Sequence, residues 1–314
     1  MQVSDRIGHR MKLQDLHVLM AVAQAGSMRK AAALLNTTQP AISRSIADLE
    51  YSIGVRLLDR TPQGVAPTAY GRALLDGGAA VFDDLRQAMK KIEFLADPTA
   101  GEVRIGTNPL LAATFCSAIV DRLSRRYPRI SFKFETTQVP DELPRQLSER
   151  SVDFLLARRF GPLTDERLDS EFLFNDSFVV ATGPESPWAR RRKIALADLV
   201  NVPWVLPPPD SLIGKAAQNA FRACGLEYPK VTVVTVAPEL RLSLLANGRF
   251  LTIITTSVLQ FASWRPQIKV LPVTFPMTPV PISVFTLKGR MLSPAAKLFI
   301  EQAREVARPL RTGK

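Results

Sequence analysis

The chain has 314 residues, a formal net charge of +12, 46% hydrophobic residues and only two cysteines. This length predicts two or three structural units with enough apolar material for packed cores. No run of 18 apolar residues occurs, and the polar first ten residues lead into no apolar stretch, so we expect neither a membrane span nor a signal peptide. Cys116 and Cys224 lie far apart in no metal-ligand spacing, which favours buried thiols in a reducing compartment. These features predict a cytoplasmic protein without a metal site.

The positive charge is unevenly distributed along the chain. Residues 1–100 carry a net charge of only +2, whereas residues 101–314 carry +10. Net charge alone supports weak, salt-sensitive attraction to polyanions. The local pattern is more informative, because residues 16–47 contain no acid but include Arg29, Lys30 and Arg44. A role in DNA binding must therefore rest on the sequence pattern, and the surplus in the second part is a reason to look for an anionic ligand there.

The first predicted unit begins with two short helices. Apolar residues at helical spacing from position 13 to position 23 indicate an amphipathic helix, and we expect Gly26 to end it in the left-handed conformation. Ser27 then caps a second helix over residues 28–35, whose alanines allow another helix to approach closely. Asn36 tolerates the left-handed conformation that a tight turn requires.

A third helix follows this turn. Thr38 caps it, and Gln39 and Pro40 open it, where the missing amide hydrogen of proline costs nothing. Apolar positions 41, 42, 46 and 49 face inward, whereas Gln39, Ser43, Arg44 and Asp48 face outward, and Gly54 ends the helix. Such a helix fits the major groove of DNA, and its first residues reach base edges. The alternative is an ordinary three-helix subdomain with no role in DNA binding.

The next segment predicts a β-hairpin. Residues 55–60 form the first strand, residues 61–64 the turn and residues 65–68 the returning strand. A hairpin directly after a DNA-reading helix is a wing, and we expect Arg56 and Arg60 to lie near the phosphate backbone.

The spaced pattern from Gly26 to Gly71 resembles the LysR-type transcriptional regulators. The positions that carry the resemblance are Gly26, Ser27, Ala31, Ala32, Leu35, Gln39, Pro40, Ala41, Ser43, Ile46, Leu49, Glu50, Gly54, Leu57, Leu58, Arg60, Pro67, Thr68 and Gly71. The resemblance implies a winged helix-turn-helix domain over residues 11–68, with the helix-turn-helix at 28–47, that binds a dyad-symmetric operator in double-stranded DNA. The residues implied to touch DNA are Ser27, Arg29, Thr38, Gln39, Pro40, Ser43, Arg44 and Arg60.

Two features depart from the family pattern. Leu58 stands where the family usually has phenylalanine, which is a mild change in the core. Ten residues precede Met11, whereas most members lack such an extension. The true start of the protein, Met1 or Met11, therefore stays open.

A long helix is predicted next, over residues 69–96, with Thr68 as its cap. Apolar residues recur along it at spacings typical of a coiled coil, namely Leu75, Phe82, Leu85, Met89 and Ile92. The alternative is a helix packed on its own domain. The resemblance favours a linker and dimerisation helix over residues 69–97, in a homodimer or homotetramer. Gly77 and Gly78 weaken the helix, and we expect a flexible point there.

Strand-like and helix-like segments alternate through the rest of the chain, which predicts mostly parallel sheets covered by helices. The segment resembles the LysR effector domain, an α/β domain built like a type 2 periplasmic solute-binding protein. The resemblance implies two Rossmann-like subdomains within residues 101–311. One covers about 101–161 plus the C-terminal part, and the other covers about 162–275. We expect the chain to cross between them near 161–163 and again near 271–281.

Ligands of such sheets bind beyond the carboxyl ends of strands, often at helix N-termini. This geometry and the family pattern give the candidate effector-binding residues Asn108, Pro109, Leu110, Thr136, Thr137, Arg158, Ser211 and Val236. The family often has serine or threonine where this chain has Pro109 and Leu110, which suggests a different ligand. Arg158 is able to hold a carboxylate or phosphate through a bidentate pair, or to form a structural ion pair with a nearby acid, and both readings stay open.

The sequence contains no recognisable catalytic motif. His9 and His17 neighbour no cysteine, and we find no glycine-rich phosphate loop, nucleophile elbow or metal-ligand cluster. We therefore expect no enzymatic activity and no cofactor. The favoured function is a DNA-binding transcriptional regulator whose operator binding or promoter activation responds to a small molecule. The alternatives are a cytoplasmic solute-binding receptor without DNA activity, which footprinting would separate, and an α/β enzyme, which would show turnover.

Overall fold

The structure is a computed structural model that describes residues 11–61, 64–137, 142–159, 161–261 and 265–311, without the side chain of Arg60. The predictions that concern the first ten residues, the wing residues Pro62 and Gln63, and a helix start at Pro140 lie outside the described residues. The chain divides into two compact units, Met1–Arg86 and Gln87–Lys314.

The first unit contains the predicted helices and hairpin. Its elements are α1 (Leu13–Ala25), α2 (Met28–Leu34), α3 (Gln39–Ile53), β1 (Leu58–Thr61) and β2 (Gly64–Pro67). Strands β1 and β2 are antiparallel, with Leu58 opposite Pro67. The helices enclose a core that includes Leu16, Leu19, Val22, Ala31, Ile42, Ile46, Leu49 and Leu57. Leu13 and Ala41 were predicted to face this core but are exposed, because each lies in the first turn of its helix.

The predicted helix ends are confirmed. Gly26 and Gly54 end α1 and α3 with φ of 63° and 86°, and Asn36 has φ of 49° in the turn between α2 and α3. The Ser27 hydroxyl accepts from the Lys30 amide at 3.5 Å, and the Thr38 hydroxyl accepts from the Ala41 amide at 3.4 Å. These side chains satisfy amide donors that a helix start leaves without a partner.

The wing approaches α1 so closely that position 64 requires glycine. Gly64 has φ of 135°, and a Cβ atom there would collide with the carbonyl oxygen of Gly26. The next amide, that of Val65, donates to this same oxygen at 2.9 Å. The wing is therefore fixed to the end of α1 by the backbone itself.

Helix α4 (Ala69–Ala96) is continuous over 28 residues, through Gly77 and Gly78. The Thr68 hydroxyl accepts from the Gly71 amide at 3.0 Å at its start. A Cβ atom at position 78 would lie 2.8 Å from Leu16 Cδ1, whereas one at position 77 would meet nothing within 4 Å. Gly78 thus has a packing role against α1, a role that the sequence did not suggest.

The second unit contains two β-sheets. The larger one has strands β3 (Ala100–Thr107), β4 (Arg129–Thr136), β5 (Phe154–Arg158), β6 (Leu168–Asp176) and β12 (Val280–Leu287), in the order β4-β3-β5-β12-β6. The other has β7 (Phe178–Thr182) between β10 (Thr252–Thr255) and β11 (Lys269–Val270). A parallel pair, β8 (Trp204–Leu206) and β9 (Val231–Val234), joins it through a bridge between Trp204 and Leu251.

Helices cover these sheets. The first is a helical segment made of the turn Pro109–Leu111, the π-helical turn Ala112–Cys116 and helix α5 (Ser117–Arg126). The others are α6 (Glu142–Ser148), α7 (Leu212–Ala223), α8 (Pro238–Ala246), α9 (Thr256–Phe261) and α10 (Pro294–Arg311). Short 3-10 turns span Pro187–Arg190, Leu196–Leu199 and Arg265–Gln267. In the described part of the chain, no helix has both the length and the apolar character needed to cross a membrane.

The expectation of mostly parallel sheets is wrong. Strands β3, β4 and β5 are parallel, but β12 runs antiparallel to β5 and β6, and β7 runs antiparallel to β10 and β11. Strand β6 was not predicted, and it belongs to the larger sheet. The chain therefore first passes to the second sheet at Ser177, later than the predicted crossing near 161–163 and the predicted subdomain start at 162. The return lies between Val270 and Val280, within the predicted range.

The two glycines of α4 give a matched pair of substitutions. Gly77→Ala should raise the free energy of unfolding by about 1 kcal/mol, because alanine favours a helix interior and its Cβ atom meets open space. Gly78→Ala should lower it by about 1 kcal/mol, because the added methyl group overpacks against Leu16. Denaturant unfolding of both variants and the unchanged protein measures the difference. Effects of equal sign would rule out the packing role of Gly78.

A candidate DNA-binding surface and a candidate effector cleft

Helix α3 presents a polar surface at its N-terminal end. Ile42 and Ile46 are buried against the other helices, and this fixes the rotation of α3 about its axis. Gln39, Pro40 and Arg44 are exposed as a result, and Ser43 is half-buried. The outward face predicted from periodicity is therefore the face that the fold leaves open.

Positive charges near this surface have no acidic partner. No carboxylate of the described residues lies within ion-pair distance of Arg29, Lys30 or Arg44, all of which are exposed. Thr38 is exposed as well, whereas Ser27 is half-buried and its hydroxyl serves as a cap. Unpaired guanidinium and ammonium groups on one side of a helix-turn-helix are suited to bind phosphates.

Two half-buried carboxylates hold α3 against its neighbours. Asp15 Oδ1 accepts from the Ser45 hydroxyl at 2.9 Å, which fastens α3 to α1. Glu50 Oε1 accepts from the amides of Leu57 at 2.7 Å and Leu58 at 3.1 Å, which fastens α3 to the start of the wing. The helix and the wing thus form one rigid surface. The role of Glu50 was not predicted, since only its place in the family pattern was noted.

The structure brings together two of the candidate effector residues, Asn108 and Arg158. Asn108 Oδ1 accepts from the Leu111 amide at 3.0 Å, which caps the helical turn after β3, and it lies 3.4 Å from Arg158 Nη1. Half-buried Pro109 opens this turn. Leu110 packs against Leu242, Leu245, Ile254 and Val258, which belong to the second sheet and its helices.

The other four candidates are not joined to this pair by a hydrogen bond within the described ranges. The Ser211 hydroxyl accepts from the Gly214 amide at 3.1 Å and donates to the Pro208 carbonyl at 2.6 Å, so it serves to cap α7. The Thr137 amide donates to the Thr107 carbonyl at 3.1 Å, and its hydroxyl bonds Glu142. Thr136 and Val236 are exposed.

Arg158 forms an ion pair with Asp176 of the same sheet, and both residues also hydrogen-bond to the segment Thr255–Ser257 at the second sheet. Its Nη2 lies 3.4 Å from Asp176 Oδ2 and 3.4 Å from Thr255 Oγ1. Asp176 is the last residue of β6 and is fully buried. It accepts from the Ser257 amide at 3.0 Å, from the Ser257 hydroxyl at 2.7 Å and from the Thr256 hydroxyl at 3.3 Å, all at the start of α9. Burial lowers the pKa of Arg158, and the charge of Asp176 opposes this shift.

A second arginine near this pair was not predicted. Arg241 lies on α8, and its Nη1 donates to the Ile253 carbonyl at 3.4 Å. Burial and then the positive charge of Arg158 lower the pKa of Arg241 to about 10, which Glu239 partly opposes. Its place as the one positive charge among the leucines of α8 was the only sequence signal that pointed to it.

Another buried carboxylate, Asp153, fastens the end of α4 to the larger sheet. Its oxygens accept from Gln87 Nε2 at 3.1 Å, from Lys90 Nζ at 3.3 Å and from the Arg104 amide at 2.9 Å. Arg290 donates to the Asp153 carbonyl at 3.0 Å. Burial alone would raise the pKa of Asp153, but Lys90, the Arg104 amide, Gln87 and the Arg104 charge together hold it below its usual value. Gln87 and Lys90 are therefore the points at which the linker helix holds this unit.

The described residues contain no group of three or more His, Cys, Asp or Glu side chains placed to hold a metal ion. Cys116 is buried, and burial raises its pKa to about 12. Cys224 is exposed, so the prediction that both thiols are buried is wrong for this residue, which ends α7 at the surface.

Two family models match the chain. The model described as a bacterial regulatory helix-turn-helix protein of the lysR family matches residues 13–72. The LysR substrate binding domain matches residues 96–308.

The chain is similar along most of its length to curated transcriptional regulators. GbpR of Azospirillum brasilense is 28% identical over 291 residues, which cover 92% of this chain and 84% of that protein. TdcA of Escherichia coli strain K12 is 25% identical over 299 residues, covering 94% and 93%. The transcriptional dual regulator GltC of Bacillus subtilis strain 168 is 26% identical over 294 residues, covering 93% and 96%. These relatives are regulators and not enzymes.

Solved structures share the fold. A full-length OxyR variant from Pseudomonas aeruginosa has a TM-score of 0.68 at 19% identity and covers 98% of this chain and 99% of its own. Full-length CbnR in complex with its target DNA has a TM-score of 0.53 at 23% identity and covers 95% and 100%.

The Asp153 cluster predicts a specific stability change. Asp153→Asn should lower the free energy of unfolding by about 3 kcal/mol at neutral pH, because Lys90 and Arg104 lose a buried counter-charge. The native pKa of Asp153 is depressed, so its contribution is present above the unfolded-state pKa and is lost as the pH falls through the native value. The variant should therefore lose less stability than the unchanged protein below about pH 5.

Denaturant unfolding at several pH values measures both effects. Asp121→Asn is the matched control, because Asp121 pairs with Arg125 on an exposed helix face and should leave stability nearly unchanged. If the two substitutions behaved alike, Asp153 would not be the anchor of the linker helix.

Proposed function

Because this chain belongs to the LysR family of bacterial DNA-binding transcriptional regulators, we propose that α3 reads the major groove of a dyad-symmetric operator. The observation that carries this proposal is the open polar face at the start of α3, with Gln39 and Arg44 exposed and no acid paired with Arg44 within the described ranges. Arginine bonds guanine and glutamine bonds adenine through two hydrogen bonds each, and residues at the start of a recognition helix reach those base edges.

The other proposed contacts position the protein on the duplex. The sequence positions of Arg29, at the start of α2, and Arg60, in the wing, favour contacts with phosphates. Thr38 and Ser43 are able to bond either a base or a phosphate. Ser27 caps α2 and Pro40 lies in the first turn of α3, and backbone amides at such helix starts are suited to bind a phosphate. An operator read in this way is found on the chromosome, so we propose that the protein acts in the cytoplasm.

We further propose that α4 pairs with α4 of a second copy. Five apolar side chains on one face of this helix are between 43% and 72% exposed, at successive spacings of four, four, three and three: Val81, Leu85, Met89, Ile92 and Leu95. A single chain rarely leaves such a row in water, and helix pairing would bury it. Two copies related by a dyad would present two wings and two α3 helices to two half-sites, in a homodimer or a homotetramer.

The effector is proposed to bind where the two sheets meet. Asn108, Pro109, Leu110 and Arg158 receive the strongest support, because they lie at strand ends beside the second sheet. The roles of Thr136, Thr137, Ser211 and Val236 as effector contacts remain predictions. Arg158 ends the strand that Asp153 precedes, so an effector there would act on the element that anchors the linker helix.

Arg44 provides the test of DNA reading. Arg44→Ala should weaken binding to an operator duplex by about 1–3 kcal/mol if it reads a base, with a smaller loss on random duplex. Fluorescence anisotropy at fixed salt measures both affinities, on a site enriched from a random pool. Arg125→Ala, an exposed arginine of α5, is the matched control and should change neither. An equal loss on both duplexes would make Arg44 a phosphate contact, and no loss would remove it from the interface.

The apolar row of α4 provides the test of pairing. Met89→Glu places a charge in the row and should raise the dissociation constant of the dimer at least about tenfold. Lys91→Glu makes the control, because Lys91 lies on another face of α4 and should leave assembly intact. Sedimentation equilibrium measures the association state of each variant. A dimer of unchanged affinity in Met89→Glu would show that α4 does not form the contact.

A further inference from the structure

We propose that the junction of the two sheets binds the acid group of an organic anion, a carboxylate or a phosphate, on the guanidinium groups of Arg241 and Arg158. The inference rests on the proposed function, since it names the chemical class of the effector. Three observations carry it: the balance of buried charges, the hydrogen-bond donors left unused, and the elements that converge at this place.

The charges at the junction are not balanced. Arg158 and Arg241 supply two positive charges, and Asp176 supplies one negative charge to Arg158 alone. Asp176 is also occupied by donors from Thr256 and Ser257. No described carboxylate lies within ion-pair distance of Arg241, and Glu239 on the same helix is exposed. A buried unpaired charge is costly, and an anionic ligand would remove that cost.

Both guanidinium groups keep unused donors. Arg158 Nε and Arg241 Nε are shielded from solvent and have no hydrogen-bond partner among the described residues. The contacts that Arg158 and Arg241 do make are all 3.4 Å long, whereas charge-assisted hydrogen bonds are usually about 2.7–2.9 Å. These donors are already held in place but lack a full set of acceptors. The Nε and Nη hydrogens of one guanidinium edge match two oxygens of a carboxylate or phosphate.

The surroundings suit an organic anion. Asn108 and Thr255 bring an amide and a hydroxyl to Arg158 for neighbouring polar groups of the ligand. Leu110, Leu242 and Ile254 form an apolar cluster next to them, which offers a surface to a carbon skeleton. The site also lies at the carboxyl ends of β3, β5 and β10, where ligands of α/β sheets bind.

The test uses the full chain, with acetate, succinate and inorganic phosphate as probes, and acetamide and succinamide as uncharged counterparts. Thermal unfolding is followed as a function of probe concentration, with potassium chloride added to hold ionic strength constant. We expect saturable stabilisation by at least one of the three anions and none by the amides. Comparing the stabilisation by acetate and succinate with that by phosphate then shows whether the site binds a carboxylate or a phosphate.

Arg241→Met should raise the dissociation constant of that anion about ten- to hundredfold, because a hydrogen-bonded charge is lost. Arg249→Met is the matched control, an exposed arginine beyond the other end of α8, and should bind as the unchanged protein does. Without any anion, Arg241→Met should melt at a higher temperature than the unchanged protein, because an unpaired buried charge is removed. A purely structural arginine would give a lower melting temperature.

The proposal is overturned if no anion stabilises the protein saturably, if the amides act equally, or if Arg241→Met binds the anion as well as Arg249→Met does. A lower melting temperature of Arg241→Met without anion also overturns it. None of these results bears on operator binding, which is measured on DNA without any anion. The two proposals therefore fail separately.

Discussion

Strand β5 carries a buried charge at each end, and the organisation of the second unit depends on it. Asp153 precedes the strand and holds Gln87 and Lys90 of the linker helix, while Arg158 ends the strand at the junction of the two sheets. The two residues are about 17 Å apart along the strand, at roughly 3.3 Å per residue. Strand β5 lies between β3 and β12 and is hydrogen-bonded on both sides, so it is a stiff connection.

Charged side chains also organise the DNA-binding unit, but there the carboxylates fix the fold and the basic side chains stay exposed. Asp15 accepts a hydrogen bond from Ser45, and Glu50 accepts one from the backbone at the start of the wing. These two carboxylates fix the position of α3. The exposed Arg29, Lys30 and Arg44 have no acidic partner among the described residues, so they are available to bind a polyanion. DNA binding in this chain thus depends on where the few charges of the first unit are placed, because its net charge is small.

Local signals predicted the helical parts of the fold well. Thr68 marked the start of α4, and the glycines of the first unit marked the ends of α1 and α3. Strand β6 escaped detection because its burial does not alternate, since Asp169 and Ser170 are both exposed and Leu173 and Phe174 are both buried. The missing strand in turn misplaced the first crossing between the sheets.

The effector site could be predicted only in part, for a related reason. Asn108 and Arg158 follow strands, and that local position is readable from sequence. Asp176 reaches Arg158 through the strand order of the larger sheet, and Arg241 reaches it through the packing of the second sheet, neither of which a local pattern encodes. Ser211 shows what a local signal can identify, because its sequence position marks a helix start and its hydroxyl forms the cap of α7.

The most direct measurement of the central claim is footprinting of the unchanged protein on a site enriched from a pool of random duplexes. We expect a protected region made of two inverted half-sites on one face of the DNA, separated by a whole number of helical turns. Protection of a single unpaired half-site would contradict the paired arrangement. Failure to enrich any sequence would contradict DNA reading by α3 itself.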